Sequence, residues 1–193
     1  MNDQILKAVN ILNKGGIIIF PTDTAFGIGC RIDNEDAVKR LFKIRNRPIN
    51  QATPVLVESA QMAQKYLHAI PNEVEEMLIN RYWPGALTIV LKCKKNLVFD
   101  LIRGGGDNLG VRMPDSQIAL DIIKKVGVPI LGPSANFHND KTPYSIKDLD
   151  IKLIKLADFV VEGECKLKMT STVVDCTKTP WKILRKGALD INI

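Results

Sequence analysis

The chain has 193 residues, of which 46% are hydrophobic and 25% are charged. These values are ordinary for a globular domain that buries its own core without disulfides or metals. Every apolar run is shorter than the ~18–20 residues of a membrane-spanning helix, and the N-terminal segment lacks signal-peptide features. We therefore expect a cytoplasmic protein with no membrane partner. The net charge of +6 favours an anionic partner such as a nucleotide or nucleic acid.

The cysteines and histidines are too scattered to indicate a metal site. There are four cysteines and two histidines, and none of them forms a CxxC pair or a Cys/His cluster. Reduced and mostly buried thiols are the simpler interpretation. The sequence therefore predicts no metal held by Cys30, Cys93, Cys165 or Cys176.

The first half of the chain alternates predicted helices with short apolar strands. Apolar residues at helical spacing predict a helix over Asp3–Asn13, which Gly15 and Gly16 end. The continuous apolar run Ile17–Phe20 is typical of a buried strand, and Pro21 is expected to end it. The pattern then predicts a helix that is capped by Asn34 or Asp33 and runs to about Lys43. Further along it predicts a strand at Pro54–Val57, helices near Ser59–Leu67 and Asn72–Arg81, a turn at Trp83–Gly85 and a strand at Leu87–Lys92.

The second half begins with a segment, Asn96–Asn108, that is predicted to be irregular. Strands are predicted at Leu109–Arg112, Pro129–Gly132, Phe159–Val161, Ser171–Asp175 and Lys182–Leu184, and helices at Ser116–Lys125 and near Ser145–Leu149. Because strands and helices alternate without a break in composition, we expect a single α/β domain over residues 1–193. Its sheet should have roughly seven strands and be mixed, with helices flanking it.

The common phosphate-binding signatures are missing from this sequence. There is no GxxxxGK[ST], and Gly104–Gly106 does not match GxGxxG between a strand and a helix. That glycine triplet is either a flexible surface loop or a mobile lid over a ligand.

Polar residues instead follow several predicted strands and helices. Thr22–Thr24, Gly132–Asn136 and Ser171–Thr172 lie at strand ends, where open α/β sheets place ligands. Each has a purely structural alternative, such as a turn or a helix cap. Together with arginines 45, 47, 112 and 185, they provide the guanidinium and hydroxyl groups that phosphoryl or nucleotidyl transfer requires.

Seven sequence blocks stand in order along the chain: FPTDTAFGIG (20–29), IRNRP (44–48), RYWPGALTIVL (81–91), LGVRMP (109–114), GPSAN (132–136), STVVD (171–175) and LRKGA (184–188). Through these blocks, and in the same order, the chain resembles the YrdC-type threonylcarbamoyl-AMP synthases from about Ile5 to Leu189. The resemblance implies a twisted α/β sheet around a basic concave cavity. It also implies synthesis of threonylcarbamoyl-AMP and pyrophosphate from L-threonine, bicarbonate and ATP. Partner proteins would then transfer the threonylcarbamoyl group to tRNA, and the chain resembles the short, single-domain form.

The resemblance also implies roles for individual residues. Threonine would be bound by Thr24, Arg112, Gly132 and Ser171. ATP, with Mg²⁺, would be bound by Arg47, Gln51, Asn108, Ser134, Thr142 and Arg185. The catalytic set would be Arg45, Arg47, Ser134 and Asn136.

Three positions depart from the family pattern. Arg45 stands in place of a usual lysine, and Phe26 in place of a usual tyrosine. Leu56 lies near the position at which many relatives have a histidine that contacts threonine.

Two alternatives to the synthase remain. The +6 charge also fits a non-catalytic RNA-binding module, although aromatic residues are only 6% of the chain. The other alternative is carbamoyl-AMP formation, as in the related domain of hydrogenase-maturation proteins.

Overall fold

The computed structural model describes residues 2–192 as a mixed α/β structure, which confirms the predicted fold class. No helix in residues 2–192 is long and apolar enough to cross a membrane. The strands are β1 (Ile18–Pro21), β2 (Phe26–Gly29), β3 (Val55–Leu56), β4 (Leu87–Lys92), β5 (Asn108–Arg112), β6 (Ile130–Leu131), β7 (Phe159–Val160), β8 (Thr172–Asp175) and β9 (Lys182–Arg185). The α-helices are α1 (Asn2–Asn13), α2 (Glu35–Ile44), α3 (Ala60–Tyr66), α4 (Asn72–Val74), α5 (Asn80–Tyr82), α6 (Asp100–Arg103), α7 (Gln117–Val126) and α8 (Ile151–Leu156).

The strands form two mixed sheets. One has three strands in the order β2-β1-β7, and the other has six in the order β6-β3-β5-β4-β8-β9. The sheets meet where β2 runs antiparallel to the segment around β6. The amide of Ile28 donates to the carbonyl of Pro133 at 2.9 Å, and the amide of Leu131 donates to the carbonyl of Cys30 at 2.9 Å. Through these bonds, the GPSAN segment lies directly beside the start of β2.

Local sequence signals set the main helices. The side chain of Asn34 caps α2 by accepting from the amide of Ala37 at 2.9 Å, and Ser116 caps α7 in the same way. Helix α7 ends at Gly127, whose φ of +77° suits a left-handed cap. The apolar faces of α1 and α7 pack on β1 and join one continuous buried core.

Some predicted elements are wrong in kind or position. Phe26–Gly29 is a strand that the sequence did not predict, and strand β1 includes Pro21. The segment predicted as irregular contains α6, and the helix expected near Ser145–Leu149 is a 3₁₀ turn followed by α8. The helix expected over Asn72–Arg81 is interrupted by a π-helical turn at Glu75–Ile79. These segments are short, so their state depends on tertiary contacts more than on periodicity.

Candidate active site

A cavity of about 150 Å³ opens where the two sheets meet. Its wall is formed by residues of the β1–β2 turn together with residues at the ends of α2, β5, β6 and β9. Four arginines and six hydroxyl-bearing residues converge on it. The residues that line it are Thr22, Thr24, Ala25, Phe26, Gly27, Arg45, Arg47, Pro54, Leu56, Thr88, Arg112, Gly132, Pro133, Ser134, Thr170, Ser171 and Arg185.

Arg112 is held in a fixed position by three acceptors. Its Nε donates to the carbonyl of Gly85 at 2.9 Å, its Nη1 to Thr24 Oγ1 at 2.6 Å, and its Nη2 to Asp23 Oδ1. Both Arg112 and Asp23 are buried, and the pair joins residues 89 apart in the sequence. Burial raises the pKa of Asp23 and lowers the pKa of Arg112, and the attraction between the two charges opposes both shifts.

The turn between β1 and β2 orients the hydroxyl of Thr24. Thr22 Oγ1 donates to the carbonyl of Ala25 at 2.7 Å, so its own hydrogen is used. Thr22 Oγ1 also accepts from the amides of Thr24 and Ala25, each at 3.2 Å, and lies 3.0 Å from Thr24 Oγ1. Because Thr24 also accepts from Arg112, its oxygen keeps one lone pair for a ligand. Thr24 can therefore accept a hydrogen bond from a ligand.

Arg45 is a buried guanidinium bound only by neutral acceptors. Its Nε donates to the carbonyl of Asn136 at 3.0 Å, and its Nη2 lies 3.5 Å from Asn136 Oδ1. Its Nη1 has no partner among the described residues. Burial, and then the charge of Arg47, lowers the pKa of Arg45 to about 10. An unpartnered buried donor of this kind favours an anionic ligand.

The end of helix α2 places Arg47 beside Arg45. Asn46 adopts the left-handed conformation with φ of 52°, and the amide of Arg47 donates back to the carbonyl of Phe42 at 3.0 Å. This is a Schellman ending, which reverses the chain within two residues. Arg47 then donates from Nε to the carbonyl of Gln51 at 3.2 Å and from Nη2 to that of Ala52.

Ser171 and Arg185 form the opposite wall. Arg185 donates to the carbonyl of Ser171 through Nε at 3.0 Å and to Ser171 Oγ through Nη2 at 2.9 Å. Ser171 Oγ also lies 2.9 Å from Thr88 Oγ1. Burial lowers the pKa of Arg185. Thr88 was not among the predicted site residues, although a lone hydroxyl in the apolar strand LTIVLK is a signal that could have identified it.

The structure brings most of the predicted residues together. Thr24, Arg45, Arg47, Arg112, Gly132, Ser134, Ser171 and Arg185 all line the cavity. Asn136 lies behind the wall, where its Nδ2 donates to the carbonyls of Phe137 at 2.9 Å and Asp140 at 2.8 Å.

Three predicted ATP residues lie outside the cavity wall. Gln51 offers its carbonyl to Arg47, but its side chain is exposed. Thr142 precedes Pro143, whose carbonyl accepts from the amide of the wall residue Phe26 at 3.0 Å. Asn108 begins β5, and Arg112 ends it. The two are therefore separated by about 13 Å, at roughly 3.3 Å per residue.

Leu56 forms the apolar part of the wall. It pairs with Arg112 in the register of β3 and β5, so the two side chains are neighbours on one face. A Cβ on Gly132 would lie 2.3 Å from Leu56 Cγ, so glycine is required at this position. Leu56 fills the space that a side chain at residue 132 would occupy.

A larger depression of about 1070 Å³ lies between α2 and α6, away from these arginines. Each of its charged residues is in an ion pair, as in the 3.0 Å contact of Lys39 with Glu35 and the pair of Lys95 with Asp107. The smaller cavity, with its converging unpaired donors, is therefore the better candidate for chemistry.

The family model for Sua5, YciO and YrdC proteins, described as "telomere recombination", matches residues 10–187. The chain belongs to this family. It is 35% identical over 190 residues to the threonylcarbamoyl-AMP synthase of Pyrococcus abyssi, covering 98% of this chain and 55% of that relative. It is 32% identical to the threonylcarbamoyl-AMP synthase of Bacillus subtilis, covering 96% of this chain and 54% of the relative.

A solved structure of a family member has the same fold. The structure of P. abyssi Sua5 complexed with L-threonine matches with a TM-score of 0.89 and 33% identity. The match covers 97% of this chain and 55% of that one. The chain thus spans about half the length of these relatives.

Proposed function

We propose that this chain is a threonylcarbamoyl-AMP synthase, which converts L-threonine, bicarbonate and ATP into threonylcarbamoyl-AMP and pyrophosphate. The observation that carries the proposal is the convergence of four arginines and several hydroxyl groups on one cavity, beside a buried ion pair. The names of the two synthase relatives and the L-threonine complex of Sua5 support it. The product would pass to partner proteins that modify tRNA in the cytoplasm.

In this proposal, Arg112 binds the carboxylate of threonine. Two N–H groups of its guanidinium remain after the three bonds described above, which is the number that a bidentate carboxylate uses. Thr24 accepts a hydrogen bond from the amino group, and Ser171 and the backbone at Gly132 complete the pocket.

Arg45, Arg47 and Arg185 bind the triphosphate. They are the cavity guanidiniums with neutral partners only, so their charges are available to phosphate oxygens. Ser134 and Asn136 orient the phosphates, Asn136 chiefly by holding Arg45. Gln51, Asn108 and Thr142 contact the nucleotide where it extends beyond the cavity.

The chemistry needs no nucleophile from the protein. The amino group of threonine attacks the carbon of bicarbonate, water leaves, and an N-carboxylate forms. An oxygen of this carboxylate then attacks the α-phosphorus of ATP, and the bond to the β-phosphate breaks with its electron pair on pyrophosphate. The arginines offset the charge that grows on the leaving group, so catalysis is positioning and electrostatic stabilisation.

Magnesium enters as part of the ATP substrate. Within residues 2–192 there is no group of three or more His, Cys, Asp or Glu residues that could hold a metal ion. Asp23, a buried carboxylate beside the cavity, is bound to Arg112. The ion would therefore be held by phosphate oxygens and water, as Mg²⁺ often is.

The test is to incubate the pure chain with ATP, bicarbonate and Mg²⁺, with and without threonine. We expect pyrophosphate and an AMP ester to form only when threonine is present. Tight RNA binding without turnover would instead support the RNA-binding module, with direct tRNA contact. Dependence on carbamoyl phosphate would support carbamoyl-AMP formation.

Arg47→Ala tests the arginines directly. It should lower threonine-dependent pyrophosphate release by at least ~10²-fold, because a donor to developing charge is lost. The matched control is Arg81→Ala, which removes an exposed arginine that does not line the cavity. Equal rates for the two variants would contradict the role given to Arg47.

A further inference from the structure

Arg112 differs from the other three cavity arginines in having an acidic partner. Its Nη2 forms a buried ion pair with Asp23. Within residues 2–192, no ion pair involves Arg45, Arg47 or Arg185, which donate to backbone carbonyls, an amide oxygen and a hydroxyl. The cavity therefore contains three uncompensated positive charges and one that is neutralised.

Asp23 is more than a structural partner of the turn. It is buried beside the cavity, and its Oδ2 has no hydrogen-bond partner among the described residues. The neighbouring Thr24 also retains an acceptor lone pair, as its hydrogen-bond geometry requires. The surroundings of Arg112 thus combine two free guanidinium N–H groups with net neutrality and nearby acceptors.

These features suit a zwitterion better than a polyphosphate. An amino acid brings one negative and one positive charge, which match the free N–H groups and the acceptors. A phosphate group brings only negative charge, and Asp23 would repel it. With an effective dielectric constant of about 20, one unit charge at about 7 Å changes an affinity on the order of 50-fold.

We propose that Asp23 is a positioning and specificity residue that reserves Arg112 for the amino acid and excludes phosphate groups from it. The inference rests on the proposed function and deepens it. Asp23 acts through Arg112 in two ways: it fixes the orientation of the guanidinium, and it cancels its charge. ATP and pyrophosphate are left to the three uncompensated arginines, so amino acid and nucleotide bind in one defined arrangement.

The experiment is calorimetric titration with L-threonine, in the absence and presence of saturating pyrophosphate. In the wild type, pyrophosphate should leave the Kd of threonine unchanged or lower it. In Asp23→Asn, which keeps the shape but removes the charge, pyrophosphate should weaken threonine binding by tenfold or more. Circular dichroism checks that the variant is folded. A structural role alone would not make threonine binding sensitive to pyrophosphate.

Two further variants separate the causes. Asp23→Glu keeps the charge, so pyrophosphate should not compete with threonine. Asp115→Asn is the matched control, because it removes an exposed carboxylate whose field reaches Asp23 but which pairs with Lys166 at 3.5 Å. It should behave as the wild type does.

Several outcomes would overturn the inference. Pyrophosphate competition in Asp23→Glu as strong as in Asp23→Asn would show that charge is not the cause. Competition between pyrophosphate and threonine in the wild type would overturn it even if Asp23→Asn did not fold. Threonine binding without turnover would count against the proposed function but leave the role of Asp23 open to the same titration.

Discussion

Gly132→Ala is expected to destabilise the protein because of a single packing contact. The new Cβ would lie 2.3 Å from Leu56 Cγ and 2.7 and 2.9 Å from its two methyl carbons. Carbon atoms normally pack at about 3.5–4.0 Å, so three contacts are too short by ~0.6 Å or more. Leu56 is buried and forms part of the cavity wall, so it can yield only into the cavity or by disturbing its neighbours.

Overpacking of this kind costs about 1–3 kcal/mol of unfolding free energy. For a chain of this length, that corresponds to a melting temperature lower by roughly 2–12 °C. Urea denaturation and calorimetry would measure both quantities. Because Leu56 neighbours Arg112, we also expect weaker threonine binding.

The control is Gly110→Ala in strand β5. There the nearest atoms, Pro54 Cβ and Thr88 Cγ2, are each 3.5 Å from the added Cβ, which is an ordinary contact. Leu56→Ala should partly rescue Gly132→Ala, with a coupling energy of about 0.5–3 kcal/mol. If the unfolding free energy of Gly132→Ala alone is within ~0.5 kcal/mol of the wild-type value, the packing argument is refuted.

Three further predictions concern the rest of the molecule. The hydrogen bond from Arg40 lowers the pKa of Asp158 below its ordinary value of 3.8. The ionised carboxylate therefore stabilises the fold fully above pH 3.8, and this stabilisation is lost as the pH falls through the lower pKa of the folded state. The difference in melting temperature between Asp158→Asn and the wild type should shrink over that acidic range. Asn46→Ala should lower the unfolding free energy by ~1 kcal/mol and Asn46→Gly should not, as urea titrations would show, because the position is left-handed. Burial raises the pKa of Cys30 and of Cys176 to about 12, so both should react with a thiol reagent at pH 8 only after denaturation; rapid labelling of the native protein would contradict this.

The sequence predicted the residues of the candidate site better than their geometry. Arginines and hydroxyls at the ends of predicted elements were recognisable one by one, and eight of the named residues line one cavity. Asn108 was also named, but it lies at the far end of β5 from Arg112. The order of residues along a strand does not tell which end faces a ligand, so only the structure could separate these two positions.

Asp23 and Thr88 illustrate what sequence patterns miss. Asp23 is part of the PTDT motif, but the role given to it depends on its ion pair with Arg112, which lies 89 residues away in the sequence. Thr88 was hidden in an apolar strand, and its contact with Ser171 spans 83 residues. Such contacts depend on strand register, which local periodicity does not specify between distant segments.

The sequence by itself determined the long helices, the longer strands and the α/β class. These depend on interactions within a few residues, such as the cap of α2 by Asn34 and the apolar spacing of α7. Only the tertiary structure decided that β2 joins the two sheets, that Leu56 closes on Gly132, and that Asp23 neutralises one arginine of four. Each of these is a contact between segments far apart in the chain, and its energy exists only when the whole fold brings them together.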